Sequence, residues 1–293
     1  MHTLKGCERM NNMKKGAIAG ALIGDAFALG PHWLYDTSVV EKHFGKMTAY
    51  KKPMAPYHKG KKPGDFTHYG DQTYHLLNLV TGQDRFDIKA YKEAWIKFVE
   101  TTDMYMDHAT KSSLDLLKGK TQVTGSISDE LGGMVRGVAL YGLNSYTLED
   151  FINQTRLTHT DEGLKDVVEF FYHVMEKVFE GQKPSEAIEA VNDQMENHMI
   201  DQALRLSESH EEADAVTAIS AIGQSCSSKY GLPASIFLIN KYEEDFVGAM
   251  KANILAGGDS AARGMAVGMV LGAYHGYEHL PKALLEGLNV ELF

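Results

Sequence analysis

Two short stretches near opposite ends of the chain set a carboxylate beside glycine at the start of an apolar helical pattern. They are Tyr69-Gly70-Asp71-Gln72-Thr73 and Gly257-Gly258-Asp259-Ser260-Ala261-Ala262. Asp71, Gln72 and Thr73 line up three oxygen-bearing side chains just ahead of the run Leu76 to Val80. Such a group either ligates a hard cation or caps the helix. Around Asp259 the glycines let a ligand come close, and free N–H groups at a helix start favour anions. The lysine of a phosphate-binding P-loop is absent there. A third stretch, Gly24-Asp25-Ala26 through Pro31-His32-Trp33, offers Asp25 and His32. Asp25 reads as a site residue or, as spacing alone favours, a helix-end carboxylate holding local backbone groups. His32 reads as a proton carrier, as a ring against a base or ribose, or as a structural histidine among aromatics. Between Gln154 and Glu162, Thr158 and His159 lie among hydroxyls and carboxylates in what spacing alone makes a capped helix start. No Ser-His-Asp or Cys-His constellation follows from spacing.

The elements that must position these residues are helical. Asp87 to Glu100 carries Ile88, Tyr91, Trp95 and Phe98 at three- and four-residue intervals, the pattern of an amphipathic helix. Thr147-Leu148-Glu149-Asp150, Thr160-Asp161-Glu162 and Pro184-Ser185-Glu186 are N-terminal signals for three more helices, the last two over Leu164 to Phe179 and Ile188 to Met199. About ten or more helices are expected at ordinary element and loop lengths. Lys46 to Tyr69, with three prolines, reads as a long surface loop, and Gly119 to Gly133 as a second one rich in Ser, Thr and Gly.

Glycine recurs every fourth residue at 16, 20 and 24, and again at 264, 268, 272 and 276. On a helix each set lies nearly along one face. Glycine costs roughly 1 kcal/mol against alanine inside a helix, so the repeats imply two helices in close backbone contact. A membrane-dimer reading conflicts with Lys14, Lys15, Asp25 and Arg263 in or beside these segments.

The 293 residues suffice for one large domain, and the formal net charge of -10 argues against a nucleic-acid surface while leaving small anions possible. Cys7 and Cys226 have no metal-finger spacing and suit free thiols in a reducing compartment. With no apolar run long enough for a membrane span and no convincing signal peptide, a cytoplasmic location is expected.

Taken in order, these segments resemble the ADP-ribosylglycohydrolase family, which includes dinitrogenase-reductase-activating glycohydrolase, ADP-ribosyl-arginine hydrolases and J-crystallins. Gly16 to Ala26 resembles the opening helix and Gly-Asp-Ala turn, and Gly70-Asp71-Gln72-Thr73 the Thr/Ser-Asp-Asp-Thr metal motif. Thr158-His159 resembles the Thr-His motif, and Gly257-Gly258-Asp259 the C-terminal Gly-Gly-Asp-Thr-Asp-Thr motif. The resemblance implies a compact all-α domain over residues 14–293 behind an N-terminal extension, 1–13. It also implies a cleft that binds ADP-ribose over two magnesium ions and cleaves its N- or O-glycosidic bond to an acceptor.

Against that pattern, Gly70, Gln72, Ala261, Ala262 and His32 stand where hydroxyl or carboxylate donors are usual. One magnesium or none is therefore expected, weakly held by Asp71 and Asp259. Asp71, Asp259 and His32 are the candidate catalytic residues. Gln72, Thr73, His159, Gly257, Gly258, Ser260 and Arg263 are the candidate ligand-binding residues, with Arg263 either supplying positive charge in place of a metal or forming a surface ion pair. The expected partner is a small-molecule or ADP-ribosylated substrate. The alternative is a non-catalytic ADP-ribose binder or crystallin-like structural protein on the same fold.

Overall fold

A computed structural model describes residues 2–118 and 124–293, with side chains from residue 8 onward. The expectations for Cys7, and for residues 119–123 of the second loop, lie outside the described residues. The helices are α1 (His2–Ala28), α2 (Thr37–Phe44), α3 (His68–Val80), α4 (Ile88–Thr101), α5 (His108–Leu117), α6 (Gly132–Val135), α7 (Leu148–Arg156) and α8 (Glu162–Glu180). They continue as α9 (Pro184–Met195), α10 (His198–Glu208), α11 (Ala215–Ile222), α12 (Ser228–Lys241), α13 (Phe246–Leu255), α14 (Ser260–His275) and α15 (Lys282–Leu285). Among the described residues no β-strand forms, and the only strand-like pairings are isolated bridges, Ser126 with His159 and Glu130 with Ser227. No helix is long and apolar enough to cross a membrane among the described residues.

The local signals explain most helix ends. Asp87 caps α4 by accepting the N–H groups of Lys89 and Ala90, and Tyr91, Trp95 and Val99 form its buried face. Thr147 and Asp150 make a reciprocal capping box for α7. Asp161 caps α8, which ends at Gly181 with φ 101°. The helix expected over Ile188 to Met199 is instead broken in two. Glu196 turns left-handed at φ 48°, and Asn197 caps α10 by accepting the N–H groups of Met199 and Ile200. α1 is unbroken from His2, so a helix runs through the boundary expected after residue 13.

The glycine faces meet as their spacing implies. A Cβ on Gly16, Gly20 or Gly24 would collide with the carbonyl of Gly272, Gly268 or Gly264 respectively, so α1 and α14 pack backbone to backbone. Gly276 departs from the pattern, lying beyond the end of α14 with φ 77°. α1 also fixes α3. Asp25, buried within α1 rather than at its end, accepts the Thr67 N–H at 2.7 Å and the Thr67 hydroxyl at 2.5 Å. One helix thus sets the position of two others, and their N-termini converge.

The Lys46 to Tyr69 stretch is only partly a surface loop. Its tip carries a short 3-10 turn, Pro56–His58, while Phe66 to Tyr69 are buried and α3 begins at His68.

Candidate active site

The site begins with how α3 starts. Thr67 is the N-cap, its hydroxyl accepting the Tyr69 N–H, which turns His68 and Tyr69 into the interior. The Tyr69 hydroxyl donates to Asp259 Oδ2 at 3.0 Å, joining the starts of α3 and α14. Asp259 caps α14 through the Ala262 N–H and is 2% exposed. His32 Nδ1 lies 3.6 Å from Asp259 Oδ1. His58 Nε2 and His68 Nδ1 lie 3.2 Å apart, and the far nitrogen of His68 meets Asp107 Oδ2 at 3.1 Å. Trp33 stacks on His32, with Tyr57 and Tyr105 edge-on to Trp33. Three imidazoles, two carboxylates, a phenol and an aromatic rim thus cluster where the starts of α3 and α14 meet.

Burial sets the protonation there. It holds the His32 imidazole well below its ordinary pKa, with the nearby His58, His68 and Arg263 adding to the effect, and brings His58 down to about 3. His68 goes the other way: burial works against its charged form, but the hydrogen bond and charge of Asp107 outweigh it. Burial raises Asp259, opposed by hydrogen bonds from Tyr69 and Ala262. Asp25 is lifted to about 6 by its burial.

Glu130 completes the charged group. Burial, then repulsion from Asp107, pushes its carboxyl up to about 7, and the charges of Asp259 and His68 also act on it. The Cys226 thiol donates to its Oε1 at 3.4 Å, while Oε2, 3.9 Å from His159 Nε2, has no hydrogen-bond partner. Two backbone crossings hold Glu130 here: the Leu131 N–H donates to Cys226 O, and the Ser228 N–H to Asp129 O. His159 meets Thr158 Oγ1 through Nδ1 at 2.8 Å, and burial lowers its pKa to about 3.

The expected site residues divide. His32 and Asp259 come together, and His159 borders the group through Glu130. Asp71 does not join them: both its oxygens accept from Lys61 Nζ, at 2.7 and 2.6 Å, in a separate recess shared with Asp65, Tyr74 and Asn289. Gly70 is needed for close packing, because a Cβ there would strike the Asp25 carboxylate. Gln72 is buried in a structural network, accepting from Trp95 Nε1 at 2.7 Å and Arg136 Nη1 at 2.9 Å. The Thr73 hydroxyl donates to the Tyr69 carbonyl within α3.

Gly257 and Gly258 adopt φ of 70° and 72°, which suits glycine. Their N–H groups are not free for an anion: they donate to Ile254 O and Leu34 O, and those of Asp259 and Ser260 to Gln224 O and Gly258 O. Ser260 is buried with an unpartnered hydroxyl. Arg263 is no surface ion pair. It is 2% exposed and donates to Asn253 Oδ1, Asn253 O and Gly257 O, bracing the glycine turn while its charge reaches Asp259.

Sequence reasoning missed His58, His68, Tyr69, Asp107 and Glu130. Thr67 was the readable signal for two of them, since a helix capped there makes residues 68 and 69 its first turn. The other three, His58, Asp107 and Glu130, arrive through tertiary pairing and left no local signature.

The donor set does not fit a pair of magnesium ions. Magnesium takes near-octahedral oxygen coordination. Here Asp259 already accepts from Tyr69 and Ala262, the Thr67 hydroxyl is spent on Asp25, and imidazoles fill the remaining places. Three buried histidines in this arrangement can hold a metal, with ligand atoms all within 4.8 Å of one another.

An all-helical single-chain fold with an acid and imidazole centre where two helix N-termini meet is the class these features define. Residues 10–292 match the family model described as ADP-ribosylglycohydrolase, and the chain belongs to that family. Crystallin J1A of Tripedalia cystophora is 22% identical over 300 residues, covering 94% of this chain and 91% of its own. Crystallin J1B of the same organism is 21% identical with the same coverage. A solved structure described as an ADP-ribosylglycohydrolase-related protein complex matches with a TM-score of 0.68 at 18% identity, over 96% of this chain and 94% of that one. At that identity the likeness is one of fold.

Proposed function

We propose that this protein binds an ADP-ribose-like nucleotide sugar beside Asp259 and Glu130 and hydrolyses its N- or O-glycosidic bond without a two-magnesium centre. The observation that carries this reading is Glu130, a carboxyl with a pKa near 7 and an unpartnered oxygen, set among charges that include Asp259. A carboxylic acid still protonated near neutrality, working with a second carboxylate, is the pair that glycoside hydrolysis uses.

Glu130 gives its proton to the departing nitrogen or oxygen of the acceptor as the bond to the anomeric carbon breaks. Asp259 takes a proton from the water whose oxygen forms the new bond to that carbon. The products are free ADP-ribose and the protonated acceptor, and exchange with solvent returns each carboxyl to its starting state. Burial raises Asp259, which strengthens it as a base. His32 and His159 stand 3.6 Å from Asp259 and 3.9 Å from Glu130, close enough to act on the charge of each carboxylate, and Trp33, Tyr57 and Tyr105 offer aromatic surface for adenine or ribose.

The test incubates the purified chain with peptides ADP-ribosylated on arginine and on serine, with magnesium added or withheld, and measures released ADP-ribose. Release under both conditions is expected. No release from either substrate overturns the hydrolase reading, and tight ADP-ribose binding without turnover makes the protein a non-catalytic binder.

A further inference from the structure

We propose that His32, His58 and His68 form a binding site for one divalent transition-metal ion of the zinc class. The site stands whether or not the protein cleaves a glycosidic bond.

Three separate elements deliver the rings. His32 follows the last turn of α1, His58 ends the 3-10 turn of the Lys46 to Tyr69 stretch, and His68 opens α3. All three are buried, with one ligand atom apiece inside a 4.8 Å span. The 3.2 Å between His58 Nε2 and His68 Nδ1 is already close to the about 3.3–3.4 Å that two nitrogens keep on a tetrahedral ion at metal–nitrogen distances of about 2.0–2.1 Å. The third nitrogen, within 4.8 Å of the others, reaches that spacing with a shift of at most about 1.6 Å.

Two further observations favour an ion over a plain aromatic core. Both nitrogens of His32 are buried without a hydrogen-bond partner, an arrangement that costs free energy unless something binds them. A phenyl ring would stack on Trp33 equally well and carry no such cost. Behind His68, Asp107 holds the nitrogen that faces away from His58; a carboxylate on the far side of a ligating imidazole fixes its tautomer and orientation. Asp107 is itself held, accepting the Thr110 N–H at 2.6 Å as the N-cap of α5.

Imidazole donors suit zinc, copper and nickel and are a poor match for magnesium. Asp259 lies 3.6 Å from His32, and a water or a substrate oxygen can complete a four-coordinate ion. Because His58 lies in the stretch joining α2 to α3, an ion here also clamps that stretch against α1 and α3.

The test uses the untagged full chain, stripped with a chelator and dialysed. Zinc content by mass spectrometry after equilibration is expected at one ion per chain, unaffected by excess magnesium, and Co(II) substitution is expected to give the visible absorption of a tetrahedral nitrogen and oxygen site. His58→Ala removes a ligand in a loop and His58→Gln keeps a polar side chain there, so a folded variant carries the comparison; each is expected to lower zinc affinity at least a hundredfold. Asp107→Asn is expected to weaken it about tenfold to a hundredfold. Failure to retain zinc, equal retention in both His58 variants, or a thiolate-to-cobalt charge-transfer band pointing to cysteine would overturn the proposal. Zinc retention with no ADP-ribose release leaves this site standing and removes only the hydrolase reading.

Discussion

The starts of α3 and α14 meet at the same place, yet they use their first residues differently. α14 opens with its carboxylate at the N-cap, so Asp259 sits at the junction beside His32 and is available for the proposed chemistry. α3 opens with Thr67 at the N-cap, whose hydroxyl is spent on Asp25, and the junction receives His68 and Tyr69 from the next two positions. Asp71 lies four residues past that cap, about 6 Å further along the axis at the helical rise, and faces Lys61 instead. A similar Gly-Asp pair therefore carries opposite meanings, decided by its register against the cap. The difference also accounts for the groups brought together: one start contributes a carboxylate, the other an imidazole and a phenol.

Breaking the α14 side should have the largest effect. Asp259→Asn removes the proposed base and should lower ADP-ribose release by about a thousandfold, within the range for general acid or base removal, as read by the rate under saturating substrate. Next comes the scaffold that holds the two starts together. Gly20→Ala forces a methyl into the Gly268 carbonyl and should cost about 3 kcal/mol, measured by chemical denaturation.

Smaller again is the pH dependence. With Glu130 titrating at about 7 and needed in its protonated form, the rate should fall as pH rises above about 7, approaching tenfold per unit. Glu130→Gln should remove that limb. The smallest effect belongs to the other Gly-Asp pair. Asp71→Asn weakens a part-buried ion pair with Lys61 away from the proposed chemistry and should leave release within about twofold; a loss as large as that of Asp259→Asn would erase the contrast between the two starts.

The helical architecture was legible because capping and three- to four-residue spacing are local. Asp87, Thr147 and Asp161 did what their types suggest, and the glycine repeats described a real helix seam. The break at Glu196 escaped notice because a non-glycine residue adopts the left-handed turn; Asn197 was the cue. The site was half legible. Asp259 and His32 lie in motifs, but reading the surface loop as far as Tyr69 placed the start of α3 two residues late. His58, Asp107 and Glu130 carry no local signal, since only the crossing of Glu130 with Ser227 and the packing of a loop turn against α3 bring them in. Arg136, which ties Gln72, Gln154 and Thr158 together from a buried position, was invisible for the same reason.

The central claim is that this junction works without the oxygen-rich two-magnesium centre. Calorimetric titration of ADP-ribose into the intact protein, with magnesium added or withheld, tests it most directly. The account predicts binding of the same affinity in both titrations. Binding that appears only when magnesium is present would contradict it.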